Sequence, residues 1–105
     1  MFQLRIYTLC SAEALDRYSS VHWARHIGSL KAFGVATHGV WTEREGSAER
    51  LVALVSFADD ADPTAVTDEY LASAEFKADM EGFDPRDVVA VDTILLDATR
   101  SSPTR

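Results

Sequence analysis

The stretch Ser11–Trp41 decides the fold; it reads SAEALDRYSSVHWARHIGSLKAFGVATHGVW and contains all three histidines and both tryptophans. Ser11 is a favourable N-cap and Gly34 a favourable stop, so the spacing predicts one helix from Ser11 to about Ala32. At about 100° per residue, one face of this helix is mostly apolar. That face collects Leu15, Tyr18, His22, His26, Ser29 and Phe33, flanked by Trp23 and Leu30.

His22 and His26 therefore project from the face that should meet the core, where an unpaired polar group costs about 1–3 kcal/mol. Either a pocket opens on this face or each ring finds a hydrogen-bond partner. Their spacing also suits zinc, but Trp23 stands where metalloprotease helices have glutamate, and nothing places His38 or a carboxylate as third ligand. We treat both rings as candidate catalytic residues and expect no metal or other cofactor. Rings satisfied by backbone or water remain the alternative.

Four segments around the helix have the apolar patterns of β-strands. They are Phe2–Leu9, Val35–Glu43, Arg50–Phe57 and Val88–Asp97. Between the last two strands, capping signals predict short helices at Pro63–Leu71 and Ala74–Glu81. The order β-α-β-β-α-β predicts an α+β, ferredoxin-like domain, with a four-stranded antiparallel sheet and its helices on one face.

The composition restricts the class of protein. With 105 residues the chain forms one domain, expected over residues 1–98, followed by a polar tail at 99–105. Ten basic and seventeen acidic residues give a net charge of −7, so nucleic acids and anionic membranes are not expected partners. The beginning of the chain lacks a signal-peptide pattern, and we expect a cytoplasmic protein. The single cysteine, Cys10, is expected to be a small buried hydrophobe.

Strands three and four are apolar on both faces, over Leu51–Val55 and Val88–Leu96. The predicted helices cover only one face of the sheet, and the other would expose more apolar surface than a monomer normally does. A second copy of the chain is the simplest cover for that face. The patterning therefore predicts a homodimer joined through the sheet face away from the helices.

Aromatic and cationic residues near the helix are candidate ligand contacts. Arg5, on a partly buried strand, must pair with a carboxylate across the sheet or dimer interface, or reach an anionic substrate. Tyr7 and Tyr18 can donate hydrogen bonds or simply pack, and Trp23 and Trp41 can fill the core or stack on an aromatic ligand. The candidate ligand-binding residues are Tyr18, Trp23, Phe33, Tyr7, Arg5 and Trp41.

Several short motifs occur in a characteristic order. They are Leu4–Leu9 (LRIYTL) in the first strand, His26 with Gly34 in the helix, Gly39–Trp41 (GVW) in the second strand, Leu71–Phe76 (LASAEF), and Arg100–Pro103 (RSSP) in the tail. Together they resemble the NIPSNAP family of the dimeric α+β barrel superfamily. The resemblance implies a homodimer whose two sheets form a barrel with the helices outside, and a cleft between helix one and its own sheet.

Related families hold apolar or aromatic ligands in that cleft, among them monooxygenases, haem-degrading enzymes, lactone isomerases and polyketide cyclases. The resemblance leaves two hypotheses, since a shared fold does not fix function. The first is a protein without a defined reaction that binds a small apolar or aromatic ligand. The second is a small cofactor-free or haem-linked monooxygenase, isomerase or cyclase with His22 or His26 as base or ligand. One observation distinguishes the two hypotheses, namely whether both imidazoles open into an enclosed cavity of about 300 Å³ or more.

Overall fold

The computed structural model describes all 105 residues, and the predicted order of elements is confirmed. The elements are β1 (Phe2–Leu9), α1 (Ala12–Arg17), a π-helical turn (Tyr18–His22), α2 (Trp23–Ala32), β2 (Ala36–Thr42), β3 (Glu49–Ser56), α3 (Pro63–Leu71), α4 (Ala74–Asp79), a 3-10 turn (Pro85–Asp87) and β4 (Val88–Leu96). The strands pair antiparallel in the order β2-β3-β1-β4, which is the ferredoxin-like arrangement. None of the helices combines the length and apolar character that a membrane crossing requires.

Local capping chemistry sets the helix ends. The side chains of Ser11, Asp62 and Ser73 each accept a hydrogen bond from a backbone N–H in the first turn of the helix that follows. Gly34 and Gly82 have φ angles of 81° and 87°, a conformation that glycine adopts without steric penalty. The long helix and α4 therefore end within two or three residues of these glycines.

The long helix, residues 12–32, is not a regular α-helix, because Tyr18–His22 forms a π-helical turn. A π turn adds the equivalent of one residue and rotates everything that follows it around the helix axis. Trp23 and Leu30, expected only to flank the buried face, are each 1% exposed, whereas Phe33 stays partly exposed. Beyond the π turn the buried face is therefore rotated from the one expected at a uniform 100° per residue: it includes Trp23 and Leu30 and still includes His26, but not Phe33.

The core lies between the helices and one face of the sheet. The β3 residues Leu51, Ala53 and Val55 point into it and are completely buried. No helix covers the opposite face, which we call the open face. Strand register places on it the apolar side chains of Phe2, Leu4, Ile6, Trp41, Val52, Leu54, Ile94 and Leu96.

Cys10 is exposed, so the expectation of a small buried hydrophobe is wrong. Leu9, the last residue of β1, is 3% exposed and is the last side chain of this strand to pack in the core. The next side chain points away from the core as the chain turns into α1. The Cys10 sulfur instead lies 3.4 Å from the Asp87 carboxylate.

Candidate functional site

A cavity of about 440 Å³ lies where the helix–sheet cleft was predicted. β1 and β4 form its floor, the long helix one wall, and α3 with α4 the other. Its lining includes Arg5, Tyr7, Tyr18, Trp23, His26, Leu30, Thr67, Tyr70, Phe76 and Met80. The volume is within the range of about 300–1,000 Å³ found for ligand sites. Five of the eight predicted site residues, Arg5, Tyr7, Tyr18, Trp23 and His26, line it.

Trp41 and Phe33 lie outside the cavity. Trp41, a candidate ligand contact, is on the open face of the sheet and 55% exposed, so it lies away from the cavity. The reason is the alternation of β2, in which successive side chains point to opposite faces. Phe33 packs edge-on against the Tyr70 ring at 5.4 Å and so contacts the side chain that forms the wall, without reaching the cavity itself.

His22 is buried but does not line the cavity. Its Nδ1 lies 2.8 Å from the Asp79 backbone carbonyl, and because a carbonyl only accepts, Nδ1–H is the donor. The ring meets Phe83 edge-on at 4.9 Å. Thus only one of the two imidazoles opens into the cavity, and no three His, Cys, Asp or Glu side chains converge as a metal site would require.

His26 is oriented by two residues from the far wall. The Tyr70 hydroxyl donates to Asp79 Oδ2 at 2.6 Å, while His26 Nδ1 lies 2.6 Å from the Tyr70 oxygen and 3.4 Å from Asp79 Oδ2. The single hydroxyl proton of Tyr70 is committed to the carboxylate, so Nδ1 carries a proton and donates to the Tyr70 oxygen. This tautomer leaves His26 Nε2 as an unprotonated nitrogen on a ring that lines the cavity.

Arg5 is the cation of the cavity floor and is 5% exposed. Its Nε donates to Gln3 Oε1 at 2.8 Å and its Nη2 donates to Thr67 Oγ1 at 3.1 Å. The guanidinium carbon lies 5.8 Å from the centre of the Phe57 ring. None of the ion pairs in the structure includes Arg5, so the salt bridge expected across the sheet is not formed. Arg5 points towards the helices, so a second copy of the chain packed on the open face could not supply its carboxylate partner either.

Three aromatic side chains stand together beside Arg5. The Tyr7 ring lies 5.5 Å from Tyr18 and 5.7 Å from Trp23. Burial raises the pKa of both phenols, and for Tyr7 the Arg5 charge opposes that rise. The neighbouring Trp23 indole N–H opposes the rise at Tyr18. This buried N–H forms no hydrogen bond of normal length and angle. Both phenols therefore keep their protons at neutral pH, and each O–H can donate a hydrogen bond to a ligand.

The NIPSNAP family model matches residues 2–103. The chain belongs to the NIPSNAP family. Among solved structures it is similar to an uncharacterized NIPSNAP domain protein from Burkholderia xenovorans (17% identity, 97% of each chain, TM-score 0.73). It is also similar to a NIPSNAP family protein with unknown function from Agrobacterium tumefaciens (17% identity, 97% of this chain and 90% of that one, TM-score 0.78). No curated protein sequence gives a match. Because these identities are low, the structures support the shared fold alone.

The charge state of this NIPSNAP site follows from burial and hydrogen bonding. Burial lowers the pKa of His26 more than the hydrogen bond and charge of Asp79 raise it, and His22 and Arg5 add to the lowering. Burial acts to raise the pKa of Asp79, but the hydrogen bonds that its carboxylate accepts lower it overall. Burial and the hydrogen bond to Asp79 raise the pKa of Tyr70. At neutral pH the three groups are a neutral imidazole, a neutral phenol and a carboxylate.

Sequence reasoning missed the residues of the far wall, Thr67, Tyr70 and Asp79. Tyr70 and Asp79 are 44 and 53 residues from His26 along the chain. Asp79 ends a six-residue helix, a position at which a carboxylate is normally solvated. The position of His26 on the apolar face of the helix indicated that its ring needs a hydrogen-bond partner. Only the packing of α3 and α4 against the long helix shows which residues are the partners.

Proposed function

We propose that this NIPSNAP protein is a homodimer that binds a small apolar or aromatic molecule in the cavity beneath the long helix. The observation that carries the proposal is the cavity of about 440 Å³, walled by aromatic and aliphatic side chains. Its polar groups are few and fall into two clusters, one around Arg5 and one around His26. Apolar walls with a few placed polar groups are the usual construction of a small-molecule site.

The homodimer is proposed on the open face. There, Trp41, Ile94 and Leu96 are 55%, 50% and 39% exposed in the single chain. Contiguous exposed apolar side chains mark an interaction surface, and a second copy presenting the same face would cover them symmetrically. Two sheets packed in this way leave both cavities accessible, because each cavity lies on the helix side of its own sheet.

Ligand binding is tested in a Trp41→Phe background, where Trp23 in the cavity wall is the remaining tryptophan. Titration with anthracene-2-carboxamide, a flat neutral molecule, should quench Trp23 emission saturably by energy transfer to the anthracene. Thr93→Phe places a ring in the cavity and should weaken binding at least about tenfold, because the volume is filled.

Val89→Phe is the matched control, since Val89 is on the same strand, 59% exposed and outside the cavity. It should bind the probe as the parent does. Equal weakening in both phenylalanine variants, or quenching that never saturates in the parent, would contradict binding in the cavity.

A second candidate function, proton transfer on the bound molecule, is favoured by the His26–Tyr70–Asp79 geometry. A neutral imidazole with a fixed tautomer and a free Nε2 can act as a general base. Such a base suits an isomerase or cyclase acting next to a carbonyl group.

Deuterium exchange at the α-carbon of 2-tetralone, a flat bicyclic ketone, tests this function. The parent should accelerate exchange and His26→Gln should not. Because the pKa of His26 is lowered, the base stays unprotonated as the pH falls through about 6.5, and the acceleration should persist there and be lost only at lower pH. Exchange at the buffer rate in the parent would exclude catalysis on this probe while leaving the binding function intact.

A further inference from the structure

We infer that the ligand of the cavity carries a carboxylate group, and that Arg5 binds that carboxylate. The inference rests on the proposed binding function and names the chemical class of its ligand. It starts from a buried guanidinium whose charge nothing in the chain neutralises.

The hydrogen bonds of Arg5 leave its charge uncompensated. Gln3 and Thr67, which accept from Nε and Nη2, are both neutral. The Tyr7 phenol, close enough to interact with Arg5, is neutral as well, and no carboxylate contacts the guanidinium. The side chain is nevertheless almost completely removed from bulk water, at 5% exposure. Buried charges in proteins are nearly always paired, because desolvating an isolated ion is costly. An anion bound to the guanidinium would supply the missing pair.

No neighbouring element provides that anion. The strand residues directly beside Arg5 are Ala53 on β3 and Thr93 on β4, both uncharged. Asp68 is the acidic residue in the cavity lining, and it is exposed and forms no ion pair with Arg5. Asp79, the buried carboxylate, is already bonded to Tyr70, Ser29 and His26 in the other polar cluster. The counter-charge must therefore come with a ligand.

The surroundings of Arg5 indicate a carboxylate rather than a phosphate. Among the residues that line the cavity, Arg5 is the only lysine or arginine, and His26 is neutral at pH 7. The cavity therefore has one buried positive charge, which a single negative charge on a ligand would balance. A phosphate monoester carries nearly two charges, whereas a carboxylate carries one and matches the planar guanidinium in geometry. The Tyr7 phenol and the unpartnered Trp23 N–H are further donors beside it. The apolar remainder of the cavity suits an aromatic or aliphatic body.

The test compares anthracene-2-carboxylate with anthracene-2-carboxamide, two probes of the same shape that differ in charge. In the Trp41→Phe background at neutral pH, the carboxylate should bind at least about tenfold more tightly. Arg5→Gln should weaken carboxylate binding at least about tenfold while changing amide binding less than about threefold. Arg44→Gln makes the same change in net charge at an exposed loop position and should alter neither affinity.

The outcomes separate this inference from the function on which it rests. Equal affinity for the two probes in the parent would overturn the carboxylate assignment and leave the binding function standing, whereas failure of both probes to bind would overturn the two together. Arg5→Lys keeps the charge without the planar fork, and it covers the case in which Arg5→Gln does not fold. That variant should still prefer the carboxylate, and a complete loss of the preference in it would also contradict the assignment.

Discussion

Leu51→Asp is expected to prevent folding. Leu51 is completely buried in β3, paired with Tyr7 on β1 and Thr42 on β2, and points towards the helices. An aspartate there would be a buried carboxylate with no partner, which costs several kcal/mol against a total stability of about 5–15 kcal/mol. Circular dichroism at 25 °C and neutral pH should show an unfolded spectrum, and heating should produce no cooperative transition.

Leu51→Met is the matched control, because it conserves the volume and apolar character of the side chain. Such exchanges usually cost less than about 1.5 kcal/mol, so this variant should melt cooperatively. If Leu51→Asp instead melts within a few degrees of the parent, β3 is not the central strand of the core.

Ile94→Asp is expected to convert the proposed dimer to a folded monomer. Ile94 is 50% exposed in the single chain, so a carboxylate there can stay hydrated while the monomer remains intact. In a dimer joined through the open face, the same carboxylate would be buried against apolar side chains of the partner. We expect the dimer dissociation constant to rise at least about 100-fold, measured by light scattering over a dilution series.

The neighbouring substitution, Leu95→Asp, is the control for this experiment. Leu95 is 55% exposed but points to the other face of the sheet, since side chains alternate along β4. It should leave the dimer unchanged. A parent protein that is monomeric at micromolar concentration, or a dimer that survives Ile94→Asp, would contradict the open face as the interface.

The sequence is sufficient for the fold because its signals are local and mutually consistent. The apolar run Leu51–Val55 marks a strand at the centre of a sheet, and β3 lies between β1 and β2. Ser11, Asp62 and Gly34 carry the capping chemistry that fixes the helix ends. Each of these features depends on a few adjacent residues, so it can be recognised without knowing what packs against it.

The site could be predicted only in part, because two of its determinants are not local. The π turn at Tyr18–His22 has no recognisable residue pattern, yet it moves Trp23 and Leu30 onto the buried face. The partners of His26 come from α3 and α4 and meet it only in the packed structure. Sequence periodicity placed the imidazole correctly, but the chemistry of that imidazole is set by contacts that periodicity does not describe.

The central claim is that a small molecule binds in the cavity beneath the long helix, and the two tryptophans allow a direct measurement. A ¹H–¹⁵N spectrum contains one indole N–H signal from Trp23 in the cavity wall and one from Trp41 on the open face, and the Trp41→Phe variant assigns them. On titration with anthracene-2-carboxylate, we expect the Trp23 signal to shift saturably while the Trp41 signal stays in place. A shift of the Trp41 signal with the Trp23 signal unmoved would place binding on the open face and contradict binding in the cavity.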